Sequence, residues 1–443
     1  MKQIVVIGGG ASGMAAAIAA AREGAAVTIL EHTASLGKKL SATGNGRCNF
    51  TNLNMSADCY RGKNLSFIEE ILKKFSPQDA LDFFAGLGVL SEEKGGYVYP
   101  YSNQASTVVD ALTLTLHALS VQVYYRREVT QVQRVKNQLV LTGTERIPVG
   151  KDSGAGKKKG KNSAQVQKQA AQEEVVQPFS MICDAVILAC GSKAAAKTGS
   201  DGSGYGLCAS LGHHIVPVYP ALVQLRGQGS FLKEWAGVRC QGRISLFAED
   251  RMQAEDTGEL QLTDYGVSGI PVFQVSRFAA EALQQGKNVT ARLNFLPKLE
   301  KKQVYTLLEQ IQSCPERNSP YRWLSGILPQ KIVPVILKQA GIPAEKLYQK
   351  ITGKEGAAVL PALVQALTAF EVPVTDTNSF DQAQVCAGGV DTKEVTADCA
   401  SRCMPGVYIV GELLDVDGIC GGYNLHFAWA TGIAAGKAAG TSV

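Results

Sequence analysis

Apolar residues fall along this chain in two patterns. Short continuous runs bounded by glycine predict buried strands, and apolar positions three or four apart predict helices. Ile4-Val5-Val6-Ile7 is such a run, broken at Gly8-Gly9-Gly10. An alanine-rich helix follows, then a second run, Val27-Thr28-Ile29-Leu30, ending at Glu31. Residues 37–54 form a loop rich in Gly, Asn and basic residues. Residues 67–84 and 105–120 have helical spacing. Residues 121–125, 128–135 and 138–141 read as short strands of a small meander. Asp184-Ala185-Val186-Ile187-Leu188-Ala189-Cys190-Gly191-Ser192 is a buried strand ending in a small-residue turn. Short strands with Pro and Gly breaks occupy about 215–265. A helix at 270–285, a strand at 289–295 and a mostly helical stretch at 298–370 follow. The last 65 residues return to strand, glycine turn and helix. There Ala387-Gly388-Gly389-Val390 is a turn, and Gly406-Val407-Tyr408-Ile409-Val410-Gly411-Glu412 is a buried strand ending in Gly and an acid. Asp417-Gly418-Ile419-Cys420-Gly421-Gly422-Tyr423-Asn424 opens an Ala/Gly-rich helix that ends near Gly440.

This order predicts an α/β protein with a Rossmann-like domain built from both chain ends, residues 1–195 and 374–443. The middle block, 196–373, is an inserted domain of strands and helices. Within the first part, residues 150–177 change composition abruptly to Lys, Gly, Ser and Gln, with Lys157-Lys158-Lys159 and Lys161. They lack the apolar residues that offset chain ordering, and predict a flexible excursion between two strands. Such a tip is ordinarily solvated; a basic arm touching nucleic acid is the functional alternative.

The composition narrows the class. Of 443 residues, 45% are hydrophobic and 19% charged, an ordinary globular balance. No apolar run reaches the length of about 18 residues that a membrane span needs. The first strand starts at once, which predicts no signal peptide. Eleven cysteines without a CxxC pair then read as reduced thiols in the cytoplasm. Cys399 and Cys403 lie closest and read as two loop thiols. No His/Cys cluster has zinc-ligand spacing, so no metal is expected. The tandem His213 and His214 read as helix-end packing or surface. A net charge of +5 mildly favours an anionic partner.

The chemistry begins at the first turn. A strand, Gly8-x-Gly10-x-x-Gly13, a helix, a second strand and Glu31 form the dinucleotide-binding fingerprint in full context. Gly8 permits the sharp turn, Gly10 lets backbone approach a pyrophosphate, and Gly13 lets the helix lie close to the sheet. The free N–H groups and dipole of the helix start, at Ala11 and Ser12, favour phosphate charge. Glu31 is placed to accept from a ribose and disfavours a 2′-phosphate, leaving FAD or NAD. Gly199-Ser200-Asp201-Gly202-Ser203-Gly204-Tyr205-Gly206 reads as a loop closing on this cofactor rather than as a second nucleotide site. Gly-rich turns at both ends of the chain suit an extended FAD.

Two long strings carry a resemblance. Gly37-Lys38-Lys39-Leu40-Ser41-Ala42-Thr43-Gly44-Asn45-Gly46-Arg47-Cys48-Asn49-Phe50-Thr51-Asn52 resembles the signature of the BaiN/RdsA-type flavoproteins. So does Gly411-Glu412-Leu413-Leu414-Asp415-Val416-Asp417-Gly418 through Gly421-Gly422-Tyr423-Asn424-Leu425. With the first glycine motif and Ala387-Gly388-Gly389-Val390 the likeness spans essentially the whole chain, the Lys-rich stretch apart. The resemblance implies a glutathione-reductase-like FAD domain, a β-barrel-like insert and a helical subdomain. It implies tightly held, non-covalent FAD, with the ADP half at Gly8, Gly10, Gly13 and Glu31. Lys39, Thr43, Asn45, Gly46, Arg47 and Cys48 would lie from pyrophosphate to flavin. Gly411, Glu412, Asp417, Gly421, Gly422, Tyr423 and Asn424 would hold the ribityl chain and ring. Val129 and the Cys190-Gly191 turn are counted among the cofactor contacts.

The family resemblance implies NAD(P)H-driven reduction of carbonyl-conjugated C=C bonds. Substrates described for it are a uridine of large-subunit ribosomal RNA and bile-acid enones, and an amine-oxidase activity is also attributed to it. The basic balance places the RNA first and a small-molecule enone second, with a peroxide-releasing oxidase third. Hydride addition leaves a carbon that needs a proton from a positioned acid. Cys48, beside Arg47, is the first candidate and Tyr423 the second. Arg47 or Lys39 could bind flavin phosphate or the substrate carbonyl. No separate NAD(P)H motif is visible, so the reductant would dock transiently over the flavin.

Overall fold

Strand Gln3–Ile7 is buried at four of its five positions and runs through the middle of a five-stranded sheet. The computed structural model describes residues 1–148, 174–351 and 354–441. The sheet order is Val407–Ile409, Ala185–Leu188, Gln3–Ile7, Ala26–Glu31, Gln122–Tyr125, and all pairings are parallel. A parallel sheet covered on both faces needs continuous apolar strands, which is why Ala185–Leu188 and Val407–Ile409 are buried at every position, whereas the edge strand Gln122–Tyr125 is largely exposed. Both chain ends contribute to it, as the glycine-bounded runs predict.

Helix Ala11–Arg22 packs on this sheet, and the long helix Tyr423–Thr441 packs on it in turn. The contact is backbone on backbone. A Cβ at Gly432 would stand 2.3 Å from the Ser12 carbonyl oxygen, and one at Gly436 2.3 Å from that of Ala16. The alanine and glycine enrichment of both helices has this cause.

The meander is rebuilt relative to expectation. Gln122–Tyr125 pairs with Ala26–Glu31 at the edge of the parallel sheet. The antiparallel sheet is Arg127–Val135, Gln138–Pro148 and Glu174–Cys183. Short polar-apolar alternation marks a strand without naming its partner, so the assignment of 121–125 to the meander fails. Of the Lys-rich stretch 150–177, residues 150–173, with Lys157–Lys161, lie outside the described residues; its last four, 174–177, are strand rather than excursion, Glu174 standing opposite Pro148.

Three further local readings change. Residues 67–84 form two helices, Leu65–Lys74 and Pro77–Ala85, because Ser76 and Asp79 make a reciprocal capping box and Pro77 sits in the first turn. The loop 37–54 contains a helical segment, Lys38–Gly46, started by Gly37 and interrupted at Thr43, Gly44 and Asn45. It also holds a two-residue strand, Thr51–Asn52.

The middle block is a closed six-stranded barrel with helices. Its strands in order are Leu225–Gly227, Gly266–Ser268, Arg251–Leu262, Arg239–Ala248, Val289–Asn294 and Phe370–Thr377. The hairpin Arg239–Ala248/Arg251–Leu262 is longer than the short strands expected there, and the expected domain boundary after 373 divides strand Phe370–Thr377. Helix Ile270–Gln284 packs against the barrel through Val272, Val275 and Ala279. Lys301–Ser313, Pro320–Leu324, Val333–Gln339 and Lys354–Thr368 form the helical part of the same apolar core. Strand Ile215–Ala221 pairs with Val385–Val390 and ties barrel to Rossmann unit. No helix among the described residues is long and apolar enough to cross a membrane.

The helix contact gives a stability prediction. Gly436→Val forces two backbones apart and should lower stability by about 2 kcal/mol, the range of an overpacked core. Thermal unfolding reads this as a fall in Tm; an unchanged Tm would contradict the close approach.

Candidate functional site

Four loops leave the carboxyl ends of the parallel strands on one edge: the Gly8 turn, Glu31, Cys190-Gly191 and Gly411-Glu412. Ligands of open α/β sheets bind at this edge, in the crevice where strand order reverses. The order reverses here beside Gln3–Ile7, with the second strand on one side and Ala185–Leu188 on the other.

The glycines of the first turn have separate causes. At Gly8, φ is +104° and a Cβ would stand 2.4 Å from the Ala189 carbonyl oxygen. At Gly13 a Cβ would stand 2.0 Å from the Gly8 oxygen. Gly9, which the spacing rule leaves unassigned, would strike the Leu36 side chain at 2.1 Å. Only Gly10 faces open space, with nothing within 4 Å. Helix Ala11–Arg22 begins there with no side-chain cap and no acid in its first turn. Its unpaired N–H groups are therefore available to an anion.

Glu31 is buried, and both its oxygens are oriented by backbone. Oε2 accepts from Gly9 N–H at 2.8 Å and Oε1 from Thr33 N–H at 2.7 Å. Each oxygen keeps a lone pair for a further donor such as a ribose hydroxyl. Open space at Gly10, a free helix start and an oriented acid fit the ADP half of a dinucleotide.

Lys39 and Glu412, far apart in sequence, form an ion pair at 2.6 Å, and Ser192 Oγ donates to the same Glu412 oxygen at 2.7 Å. Gly411, at φ +66°, leans on Ser12, where a Cβ would stand 2.6 Å from Oγ. Gly191 lies against Ser200, whose hydroxyl donates to the Ser192 carbonyl. Segment 199–206 thus closes on the Cys190-Gly191-Ser192 turn, with Gly199 against His32 and Thr33, and runs into helix Ser203–Ser210. Val129 is buried in the antiparallel sheet, at an irregularity in its pairing.

At the second glycine turn, Asn424 clamps Gly418: its Oδ1 accepts the Gly418 N–H and its Nδ2 donates to the Gly418 carbonyl. Asn52 Nδ2 donates to Gly421 O at 2.9 Å, and a Cβ at Gly422 would meet Thr51 O at 2.6 Å. Asn49 Oδ1, buried near Gly422, has no protein partner. Thr43 Oγ1 donates to Leu40 O, while Asn45, Gly46 and Arg47 are exposed.

The two candidate acids are both protonated and enclosed. Cys48 is fully buried, and burial pushes its thiol up to about 12. Arg47 does not lower it: the guanidinium lies over the Tyr99 ring, 5.3 Å from the centroid. Cys48 instead occupies a left-handed turn, φ +58°. Tyr423 donates its hydroxyl to the Asn54 carbonyl, and burial raises its pKa. Asp417, expected to contact cofactor, is the unexpected group. It is buried, and burial pushes it up to about 7 against the pull of Arg277. The sequence signal was an acid inside an apolar, glycine-rich turn.

His213 is buried between Glu394, 3.0 Å from Nδ1, and Ser401, 2.8 Å from Nε2. Ligand atoms of His213, Glu394 and Cys403 lie within 4.8 Å of one another. Cys399 is buried and Cys403 exposed, both as free thiols.

Comparison with known proteins follows this geometry. The family model described as HI0933-like protein Rossmann domain matches residues 2–151 and 150–438. The chain belongs to the HI0933-like family. It is an oxidoreductase with a Rossmann-like FAD-binding fold. It is 42% identical to the 3-dehydro-bile acid delta(4,6)-reductase of Clostridium scindens, over 99% of each chain. It is 26% identical to the ribosomal RNA dihydrouridine synthase of Haemophilus influenzae, over 97% of this chain and 96% of that one. A solved structure of 3-ketosteroid-delta4-(5alpha)-dehydrogenase from Rhodococcus jostii RHA1 aligns over 100% of this chain and 97% of its own, with 15% identity and a TM-score of 0.48.

His426, in the first turn of Tyr423–Thr441, generates a pH prediction. Its Nε2 meets the Phe75 carbonyl at 3.1 Å, which assigns the proton there, and Nδ1 faces Thr51 Oγ1 at 2.8 Å. Burial lowers the pKa from 6.5 to about 4. A lowered histidine pKa contributes stability that is present above the unfolded value and lost as pH falls towards the folded one. Tm should therefore drop between pH 6.5 and 4, and less steeply in His426→Gln; equal slopes in the two proteins would contradict a buried neutral imidazole.

Proposed function

We propose that this chain is an FAD-dependent reductase of C=C bonds conjugated to a carbonyl, acting on a small apolar ketone of the bile-acid type with NAD(P)H as electron donor. The carrying observation is the 42% identity to the bile-acid reductase over 99% of both chains, against 26% to the RNA enzyme. The preference for ribosomal RNA drawn from charge alone gives way to the small molecule. A second support is the seam between barrel and Rossmann unit. There Ala221, Leu222, Val385 and Ala387 are buried together, with Tyr219, Phe273 and Cys420 packed against them. An apolar seam suits a steroid-like skeleton better than a polyanion.

Bound FAD supplies hydride transfer. The chain holds and orients it. Gly10 and the start of Ala11–Arg22 would face the pyrophosphate, and Glu31 would accept from the ribose of the ADP half. Gly411, Glu412, Gly421, Gly422 and Asn424 would face the ribityl and ring end. Lys39 Nζ stands 2.6 Å from the Glu412 carboxylate and ties the two ends of the chain together at this edge. Cys48 and Tyr423 are both held protonated at neutral pH by burial.

Anaerobic protein reduced with NADPH or NADH and mixed separately with a steroid dienone and with dihydrouridine-free ribosomal RNA tests the reading. Flavin reoxidation and saturated product are expected from the dienone. Reoxidation by RNA alone, with dihydrouridine formed, would overturn it in favour of the RNA substrate. Silence with both, followed by rapid reoxidation and peroxide on admitting oxygen, would make the protein an oxidase. Cys48→Ala should retain turnover with the dienone; a loss on the order of a hundredfold would restore Cys48 as the general acid.

A further inference from the structure

Helix Ile270–Gln284 carries an apolar side against the barrel and brings Arg277 and Glu281 to the seam side. Phe273, Gln274 and Arg277 stand three and four residues apart, so they share a helix face. Phe273 packs on Cys420 and its neighbours. Gln274 Oε1 accepts the Cys420 N–H at 2.9 Å. Arg277 Nε lies 3.3 Å from Asp417 Oδ2. All three therefore reach the second glycine turn, the segment that opens helix Tyr423–Thr441.

The Arg277–Asp417 contact is incomplete as an ion pair. Its angle is too poor for a hydrogen bond, and both Arg277 Nε and Asp417 Oδ1 are buried without a hydrogen-bond partner. Among the described residues no acceptor meets the terminal amino groups of Arg277, and the side chain keeps 18% of its exposure. Asp417 is only 3% exposed. Removing a guanidinium and a carboxylate from water without completing their hydrogen bonds is costly. A fork of free donors at an apolar seam matches a single neutral or partly negative oxygen on an apolar molecule.

We propose that Arg277 binds the carbonyl oxygen of the conjugated ketone, and that Asp417, beside its Nε, governs how far the guanidinium is available to it. The inference rests on the reading of the chain as an enone reductase. In that reaction the substrate would take up a hydride at its β carbon, and the C=C electron pair would shift through the α carbon onto the oxygen. Arg277 would hold the resulting oxyanion until a proton from solvent reaches the α carbon and the C=O bond reforms. The substrate gains one hydride and one proton, two electrons and two protons in all, and bound FAD would supply the hydride.

Asp417 faces Arg277 and Glu281 from the helix, Arg61 from the paired strand Tyr60–Arg61, and Asp415 from its own segment. Burial keeps it protonated below about 7, leaving the guanidinium free for the ketone. As pH rises through that value the carboxylate competes for Arg277, so ketone affinity should fall.

The test is titration calorimetry of the FAD-loaded protein with a saturated 3-keto steroid acid and with its 3-deoxy analogue. The ketone cannot be reduced at a C=C bond, so binding is read without turnover. The parent should prefer the ketone by about tenfold, the value of a hydrogen bond to a charged donor. Arg277→Met should erase the preference at unchanged flavin content, and Arg277→Lys should keep part of it. Asp417→Asn should remove the fall in ketone affinity with rising pH. An undiminished preference in Arg277→Met overturns the role of Arg277 and leaves the enone reading standing. A parent that binds neither steroid and reduces no dienone overturns both.

Discussion

The arrangement depends on backbone crowding at one end of a parallel sheet. The Gly8 carbonyl stands where a side chain on Gly13 would be, and the Ala189 carbonyl stands where one on Gly8 would be. The Ser12 and Ala16 carbonyls likewise exclude side chains from Gly432 and Gly436. These contacts press the first helix onto its strand and the last helix onto the first. Loops from residues 8, 31, 191 and 411 then converge on one edge. A methyl group at any of the four glycines would push the chain ends apart and open that edge.

Within this frame the buried charges have distinct surroundings. Glu31 is oriented by two backbone N–H groups and stays local. Glu412 is matched by Lys39 and Ser192, which join the two ends of the chain. Asp417 meets only a poorly aligned Arg277, so burial outweighs attraction. Of the three, Asp417 is the one that is buried without a well-aligned donor.

Much of the fold was legible because its signals are local. The Gly8 to Glu31 unit declares itself by order and spacing, and the runs 185–188 and 407–409 by apolar continuity. The break at Ser76-Pro77 was also written locally, as a capping box, although helical spacing across 67–84 hides it. The strand Gln122–Tyr125 was not legible as part of the parallel sheet, since pairing partners are chosen over distance. Nor was the barrel's closure by Phe370–Thr377, which requires a strand beyond four helices to return to Val289–Asn294.

The sequence by itself determined the dinucleotide fold, its two glycine-rich ends and the family. Those properties reside in backbone freedom and apolar continuity, which are set residue by residue. Tertiary structure alone decided the surroundings of the titratable groups. Cys48 looked reactive beside Arg47 until folding buried the thiol and turned the guanidinium towards Tyr99. Arg277 carried no motif until the barrel helix brought it against Asp417. Proton affinity depends on solvent exclusion and on charges from other elements, and neither exists before the chain is folded.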